Sequence, residues 1–192
     1  MIIIGLTGPT GAGKSSLTPV AEKLGYKVID CDKTARQAVE KGTKGLKALK
    51  IAFGEEILSE DGSLNRKALA QKAFSTPRNT ELLNKTLLPF ITELVLKECE
   101  GGKVLLDAPT LFESGLDAKC TATVGVLADR EIRLARIKNR DNISEAEALI
   151  RINAGKTDDF YKKNADFIIY NNGDTEEFQK EFEVILSKIG EI

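Results

Sequence analysis

Short apolar runs alternate with longer amphipathic stretches along this chain. Ile2-Ile3-Ile4-Gly5-Leu6, Tyr26–Ile29, Val104-Leu105-Leu106-Asp107, Thr121–Leu127 and Phe167–Tyr170 have the length and branched content of buried strands. Between them the period changes to that of helices. A helix is predicted over Ser15–Leu24, stopped by Gly25, with a bend at Pro19. Two amphipathic helices follow over Lys33–Lys41 and Thr43–Phe53, then one over Leu64–Phe74 with Ser63 as its cap. Arg78–Leu87 is a further helix. Pro89 predicts a break at Leu88 and a new helix over Pro89–Glu100, ended by Gly101-Gly102. Ala128–Asp141 and Ser144–Ala154 are helical, the second opened by a Ser144/Glu147 capping box. Gly155–Asn164 reads as polar and mobile, Asn171-Asn172-Gly173 as a turn, and Thr175–Ile189 as a closing helix.

Strands alternating with helices imply an α/β fold: a five-stranded parallel sheet with helices on both faces. Residues 32–102 hold no convincing strand and form a helical insertion. From its pattern alone that block is a structural layer as readily as a binding region.

Composition narrows the function more than the fold. The 192 residues are 42% hydrophobic and 30% charged, with net charge −1, so no global charge attracts nucleic acid or membrane. No apolar run approaches a bilayer span, and the first residues lack the pattern of a signal peptide. Cys31, Cys99 and Cys120 are widely spaced, form no metal pattern and fit a reducing cytoplasm. The chain has no histidine, so imidazole serves neither as base nor as ligand.

The chemistry is concentrated near the start. Gly8-Pro9-Thr10-Gly11-Ala12-Gly13-Lys14-Ser15 reads G-x-x-x-x-G-K-[ST] between a strand and a helix, the phosphate-binding P-loop. Its N–H groups can converge on phosphate oxygens. Lys14 would reach the β- and γ-phosphates and the Ser15 hydroxyl would bind Mg²⁺. Asp30 and Asp32 stand at a strand end, where open α/β sheets bind ligands; equally, Asp32 fits as a helix cap. Asp107 ends an apolar strand, the pattern of a metal-assisting carboxylate. Arg133, Arg136 and Arg140 share a helix face. Such a face can grip phosphate or lie in solvent paired with Asp129 and Glu131. Asn84-Lys85-Thr86-Leu87 begins like a guanine-reading motif but lacks its Asp, which disfavours a GTPase.

With these residues in place, the chain resembles the dephospho-coenzyme A kinase family over nearly its whole length. The family's G-L-T-G-x-x-G-S-G-K-S and V-I-D-A-D stand here as Gly5–Ser15 and Val28–Asp32. Its F-G, D-G-x-L-x-R, P-L-L-F-E and A-D-x-V-I-x-N-x-G elements match Phe53-Gly54, Asp61–Arg66, Pro109–Glu113 and Ala165–Gly173. The resemblance implies a P-loop kinase fold with a core (1–31, 103–128, 164–192), an acceptor-binding region (32–102) and a lid (129–163). It implies transfer of the ATP γ-phosphate to the ribose 3′-hydroxyl of dephospho-CoA, with Mg²⁺. Asp32 would be the general base, assisted by Lys14 and the lid residue Arg140. Thr10, Gly11, Ala12, Gly13, Lys14, Ser15, Ser16 and Arg136 would hold ATP, with Asn171 and Gly173 near adenine. Asp30, Asp32, Arg66, Leu111, Phe112 and Glu113 would form the acceptor site. Leu88, Arg133 and Gly155 depart from the family's His, Gln and Gln, and Thr110 from its Leu. A kinase of another hydroxyl compound, or a nucleotide binder without turnover, are the alternatives.

Overall fold

The computed structural model describes residues 1–98 and 102–190; Cys99, Glu100 and Gly101, the expected helix end, lie outside them. Five parallel strands form one sheet: β1 (Ile2–Thr7), β2 (Tyr26–Asp30), β3 (Lys103–Asp107), β4 (Ala122–Leu127) and β5 (Phe167–Tyr170), in the order β2-β3-β1-β4-β5. The order reverses beside β1, which places the sheet's ligand-binding crevice at the end of that strand.

Alternation along the strands sends side chains to both faces, and both are covered. Ile4, Leu6, Leu105, Val124 and Val126 pack against α1 (Thr18–Lys23) and α10 (Thr175–Gly190), through Val20, Phe178, Phe182 and Leu186. Ile3, Ile29, Val104 and Leu106 pack on the opposite side. There they meet α2 (Cys31–Gln37), α5 (Pro77–Glu98) and α6 (Leu111–Ser114). Gly5 faces that side because Leu111 and Cys120 fill the space where a Cβ would stand. A third cluster, around Leu49, Phe53, Ile57 and Leu69, joins α3 (Lys44–Phe53) and α4 (Arg66–Ala73) to α5. A small fourth one, Ile137, Ala148 and Ile152, closes α7 (Arg130–Asp141) on α8 (Glu145–Ala154).

Several local expectations are corrected. The helix expected from Ser15 begins as a 3-10 turn over Lys14–Ser16 and becomes α-helical only at Thr18. Pro19 thus sits in the first turn, where its missing N–H costs nothing. The α2 cap is Asp30, which accepts from the Lys33 N–H at 3.0 Å, so Asp32 lies inside the first turn. Likewise Asn65, not Ser63, caps α4. Pro89 does not break the helix: α5 runs through it. Leu87, Leu88, Ile91 and Val95 on the buried side of α5 hold the helix across that point. Gly155–Asn164 is not wholly irregular, because Thr157 accepts from Phe160 N–H and starts α9 (Asp158–Asn164). The Ser144/Glu147 capping box is present as expected.

Candidate active site

The site assembles from the adjacent carboxyl ends of β1, β2 and β3. Register places Asp107 opposite both Leu6 of β1 and Asp30 of β2. The loop after β1 then turns sharply. Gly8 has φ 145°, and a Cβ there would strike the Val126 carbonyl; Gly13 has φ 94°, and a Cβ there would strike Asn171. Both positions therefore demand glycine.

Three of the loop's carbonyls are held from outside. Arg133 Nε donates to the Thr10 oxygen at 3.1 Å. Asn171 Nδ2 donates to the Ala12 oxygen at 2.9 Å, and Arg136 Nη1 to the same oxygen at 3.4 Å. Gln179 donates to the Ser16 oxygen at 3.0 Å. Among the described residues no backbone hydrogen bond takes up the N–H of Gly11, Gly13, Lys14 or Ser15. Carbonyls tied outward and donors left open are the arrangement that receives an anion.

Those donors border a cavity of about 500 Å³ lined by Gly11, Lys14, Ser15, Asp107, Arg136 and Arg140. Lys14 Nζ curls back to donate to the Gly8 carbonyl at 2.8 Å. Burial lowers its pKa, opposed by the charges of Asp107 and Asp32. Burial raises the Asp107 pKa, while Lys14 pulls it back and Asp30 and Asp32 push it further up. Asp107 Oδ1 is buried with no hydrogen-bond partner among the described residues. A carboxylate oxygen left bare beside an exposed Ser15 hydroxyl suits a hard cation or its waters. No group of three or more acidic, Cys or His side chains among the described residues forms a metal cage.

A second cavity, about 350 Å³, opens from Asp32 between α2, α4 and α5. Arg36 and Arg66 stand at it, over an apolar wall that includes Leu69, Phe74 and Leu87. A third, about 440 Å³, is lined by Asn84, Leu88, Phe112, Glu113 and Lys156. Glu113 Oε2 is also buried without a partner among the described residues. Asn84 Nδ2 donates to the Glu113 carbonyl at 2.9 Å. Phe160 of α9 meets Phe112 edge to face at 5.8 Å.

The expected residues therefore fall in different places. Gly11, Gly13, Lys14, Ser15, Arg136 and Arg140 share the first cavity. Thr10, Ala12 and Ser16 form its rear frame through their carbonyls. Asp32 and Arg66 share the second cavity, Phe112 and Glu113 the third. Leu111 does not line the acceptor side: its side chain is wholly buried in the core, filling the space beside Gly5. Arg133 does not reach the first cavity either; it is turned into the protein and paired with Asp158 at 3.1 Å. Asn171 is buried and spent on Ala12 and on Arg136 Nη2, 3.1 Å away, whereas Gly173 is exposed. Arg140 is held at the cavity rim by its hydrogen bonds to Asp141, which raise its pKa; the Asp141 carboxylate also takes Arg151.

Sequence reasoning missed Arg36, Phe74 and Asn139. A signal existed for the first two. Arg36 is one helical turn beyond Asp32, and Phe74 is on the apolar side of the helix that Arg66 opens.

Comparison with known proteins agrees with this geometry. A family model described as dephospho-CoA kinase matches residues 2–177. A dephospho-CoA kinase from Oryza sativa is 36% identical over 197 residues, covering 100% of this chain and 86% of that protein. The solved structure of TT1252 from Thermus thermophilus superposes with a TM-score of 0.78 at 32% identity, covering 97% of each chain. Dephospho-CoA kinase from Campylobacter jejuni superposes with a TM-score of 0.66 at 25% identity, over 99% of this chain and 98% of that one. With its P-loop, its sheet-end carboxylates and this likeness along the full chain, the protein belongs to the dephospho-CoA kinase family, ATP-dependent kinases that phosphorylate a hydroxyl group.

Proposed function

We propose that this chain transfers the γ-phosphate of ATP to the ribose 3′-hydroxyl of dephospho-CoA, with Asp32 as the group that takes the hydroxyl proton. The observation that carries the reading is the position of Asp32. It borders the cavity that holds Arg36 and Arg66, and its charge acts on the Lys14 ammonium at the phosphate cavity. A hydroxyl held at Asp32 would be presented toward the phosphates held at Lys14. As the hydroxyl oxygen bonds to the γ-phosphorus, the bond to the β-phosphate oxygen breaks and ADP leaves. The hydroxyl proton passes to Asp32.

In this reading the N–H groups of Gly11, Gly13, Lys14 and Ser15 hold the ATP phosphates, while Lys14, Arg136 and Arg140 balance their charge. Ser15 and Asp107 would hold Mg²⁺ directly or through water, and the ion would supply further charge on the phosphate oxygens. Asn171 and Gly173 would flank the adenine end of the loop. Arg36 and Arg66 suit the acceptor's pyrophosphate, and Glu113 with Phe112 completes the acceptor wall. Residues 1–31, 103–128 and 164–192 act as core, 32–102 as acceptor region and 129–163 as lid. The widely spaced cysteines favour a cytoplasmic setting. The test is ADP release with dephospho-CoA against a panel of nucleosides and small alcohols. Turnover should depend on dephospho-CoA; equal or greater turnover with another acceptor overturns the assignment.

A further inference from the structure

Among the described residues, Arg133 is the one buried side chain that carries a charge, at 5% exposure. The mechanism above does not use it. Its Nε reaches the Thr10 carbonyl from behind the loop, and its Nη1 is tied to Asp158 at 3.1 Å. The backbone of α7 presses directly on the loop here: a Cβ at Gly11 would lie 2.9 Å from the Arg133 carbonyl oxygen.

The Thr10 carbonyl belongs to the same peptide group as the Gly11 N–H. A cation on that oxygen draws electron density toward it and makes the N–H at the other end a stronger donor. The Gly11 N–H has no backbone partner, and Gly11 lines the phosphate cavity. The next peptide but one repeats the arrangement. Arg136 and Asn171 hold the Ala12 oxygen, and the Gly13 N–H is open to the same cavity.

We propose that Arg133 is a positioning residue for the nucleotide: it fixes and polarises the Thr10–Gly11 peptide from the rear, so that the Gly11 N–H meets a phosphate oxygen as a strengthened donor. This rests on the reading of the P-loop cavity as the ATP site. The charge of Arg133 acts on the Lys14 ammonium as well, so its field reaches that cavity. Asp158, 39% exposed at its side chain, balances part of that field from the far side.

The role is separable from simple packing. Arg133→Gln keeps a neutral donor for the Thr10 oxygen and removes the charge. Asp158→Asn keeps the anchor and removes the balancing carboxylate. Each full-length variant is titrated calorimetrically with MgADP, and the Gly11 amide proton is followed by ¹⁵N-resolved NMR without nucleotide. Arg133→Gln should bind MgADP about three- to tenfold more weakly, since charge-assisted bonds are roughly twice as strong as neutral ones. Its Gly11 amide proton should move upfield while that of the remote Gly25 stays, and the KM for dephospho-CoA should be unchanged. Asp158→Asn should bind MgADP as tightly as the parent or more tightly. The proposal is overturned if Arg133→Gln binds MgADP like the parent, if its Gly11 resonance is unmoved, or if both variants weaken binding alike, as a purely structural tie requires. If the unaltered protein itself binds no MgADP, the reading of the cavity falls, and this proposal with it.

Discussion

The two carboxylates that flank Cys31 where β2 gives way to α2 do different work. Asp30 is spent on the Lys33 N–H and starts α2, whereas Asp32 is exposed and faces the second cavity. Asp30→Asn should keep both the cap and kcat, because Asn caps as well as Asp. Asp32→Asn should lower kcat by about 10²–10⁴ with ATP affinity retained. Steady-state kinetics beside calorimetry on both variants decides it; full kcat in Asp32→Asn refutes the base. Between them lies Cys31, whose thiol burial pushes up from 9.0 to about 12, with the charges of Asp107, Asp30 and Asp32 adding to the shift. The folded state thus holds this proton more tightly than the unfolded chain does. The resulting stability is full below the unfolded pKa and is lost as pH rises toward about 12. Between about pH 9 and 11 the unaltered protein should lose about 1.4 kcal/mol per pH unit more than Cys31→Ala. Urea denaturation across that range measures it, and parallel curves for the two proteins would refute it. The P-loop and both acids were legible in the sequence because their spacing is local. The division of labour between Asp30 and Asp32 was not, since either residue type caps a helix and only the observed start of α2 decides which one does.

At the scale of elements, α5 carries a proline through its middle. Pro89 has no N–H to give the Lys85 carbonyl one turn back, and its ring is exposed. Pro89→Ala would restore that bond without opening the core. An interior helical proline costs about 3 kcal/mol, less about 1 kcal/mol for the stiffness it gives the unfolded chain. Pro89→Ala should therefore raise stability by about 2 kcal/mol, read as a higher midpoint in urea; a lower midpoint would mean that the proline shapes the packing of α5. The expected break at Leu88 failed because the buried face formed by Leu87, Leu88, Ile91 and Val95 outweighs a local preference. Elements with strong local signals, such as the Ser144 capping box that opens α8, are where the sequence placed them. The start of α9 was missed since its seven residues have only the Thr157 cap to announce them. The inward turn of Arg133 had no local signal at all. Three arginines on one helix face look alike until the P-loop carbonyls and Asp158 select one of them.

For the whole molecule, the first cavity draws on residues far apart in sequence: the P-loop, Asp107 and α7. A ligand that joins them should stabilise the fold as a unit. At a hundred times its Kd, MgATP adds about 2.7 kcal/mol, or about 5–10 °C in Tm for a chain of this length. Differential scanning fluorimetry with and without a chelator measures both parts of the claim. The shift should shrink when the chelator removes Mg²⁺, and a shift of equal size in excess chelator would exclude a role for Ser15 and Asp107 in holding the ion.

The strand order has a consequence for how the protein is born. β1 is made first but occupies the middle of the sheet, and its neighbours are β3 and β4, not β2. β2 pairs only with β3. Among the described residues no two strands encoded before Lys103 are partners, so a nascent chain that has emerged only as far as Glu98 has no pair of sheet strands to join. At about 5–20 residues per second, the two apolar strands wait on the order of ten seconds for β3 and β4 to leave the ribosome. Over that interval the helices between Thr18 and Glu98 are what can form, and they, α1 first, with the chaperones that meet the chain, are the shelter available to Ile2–Leu6.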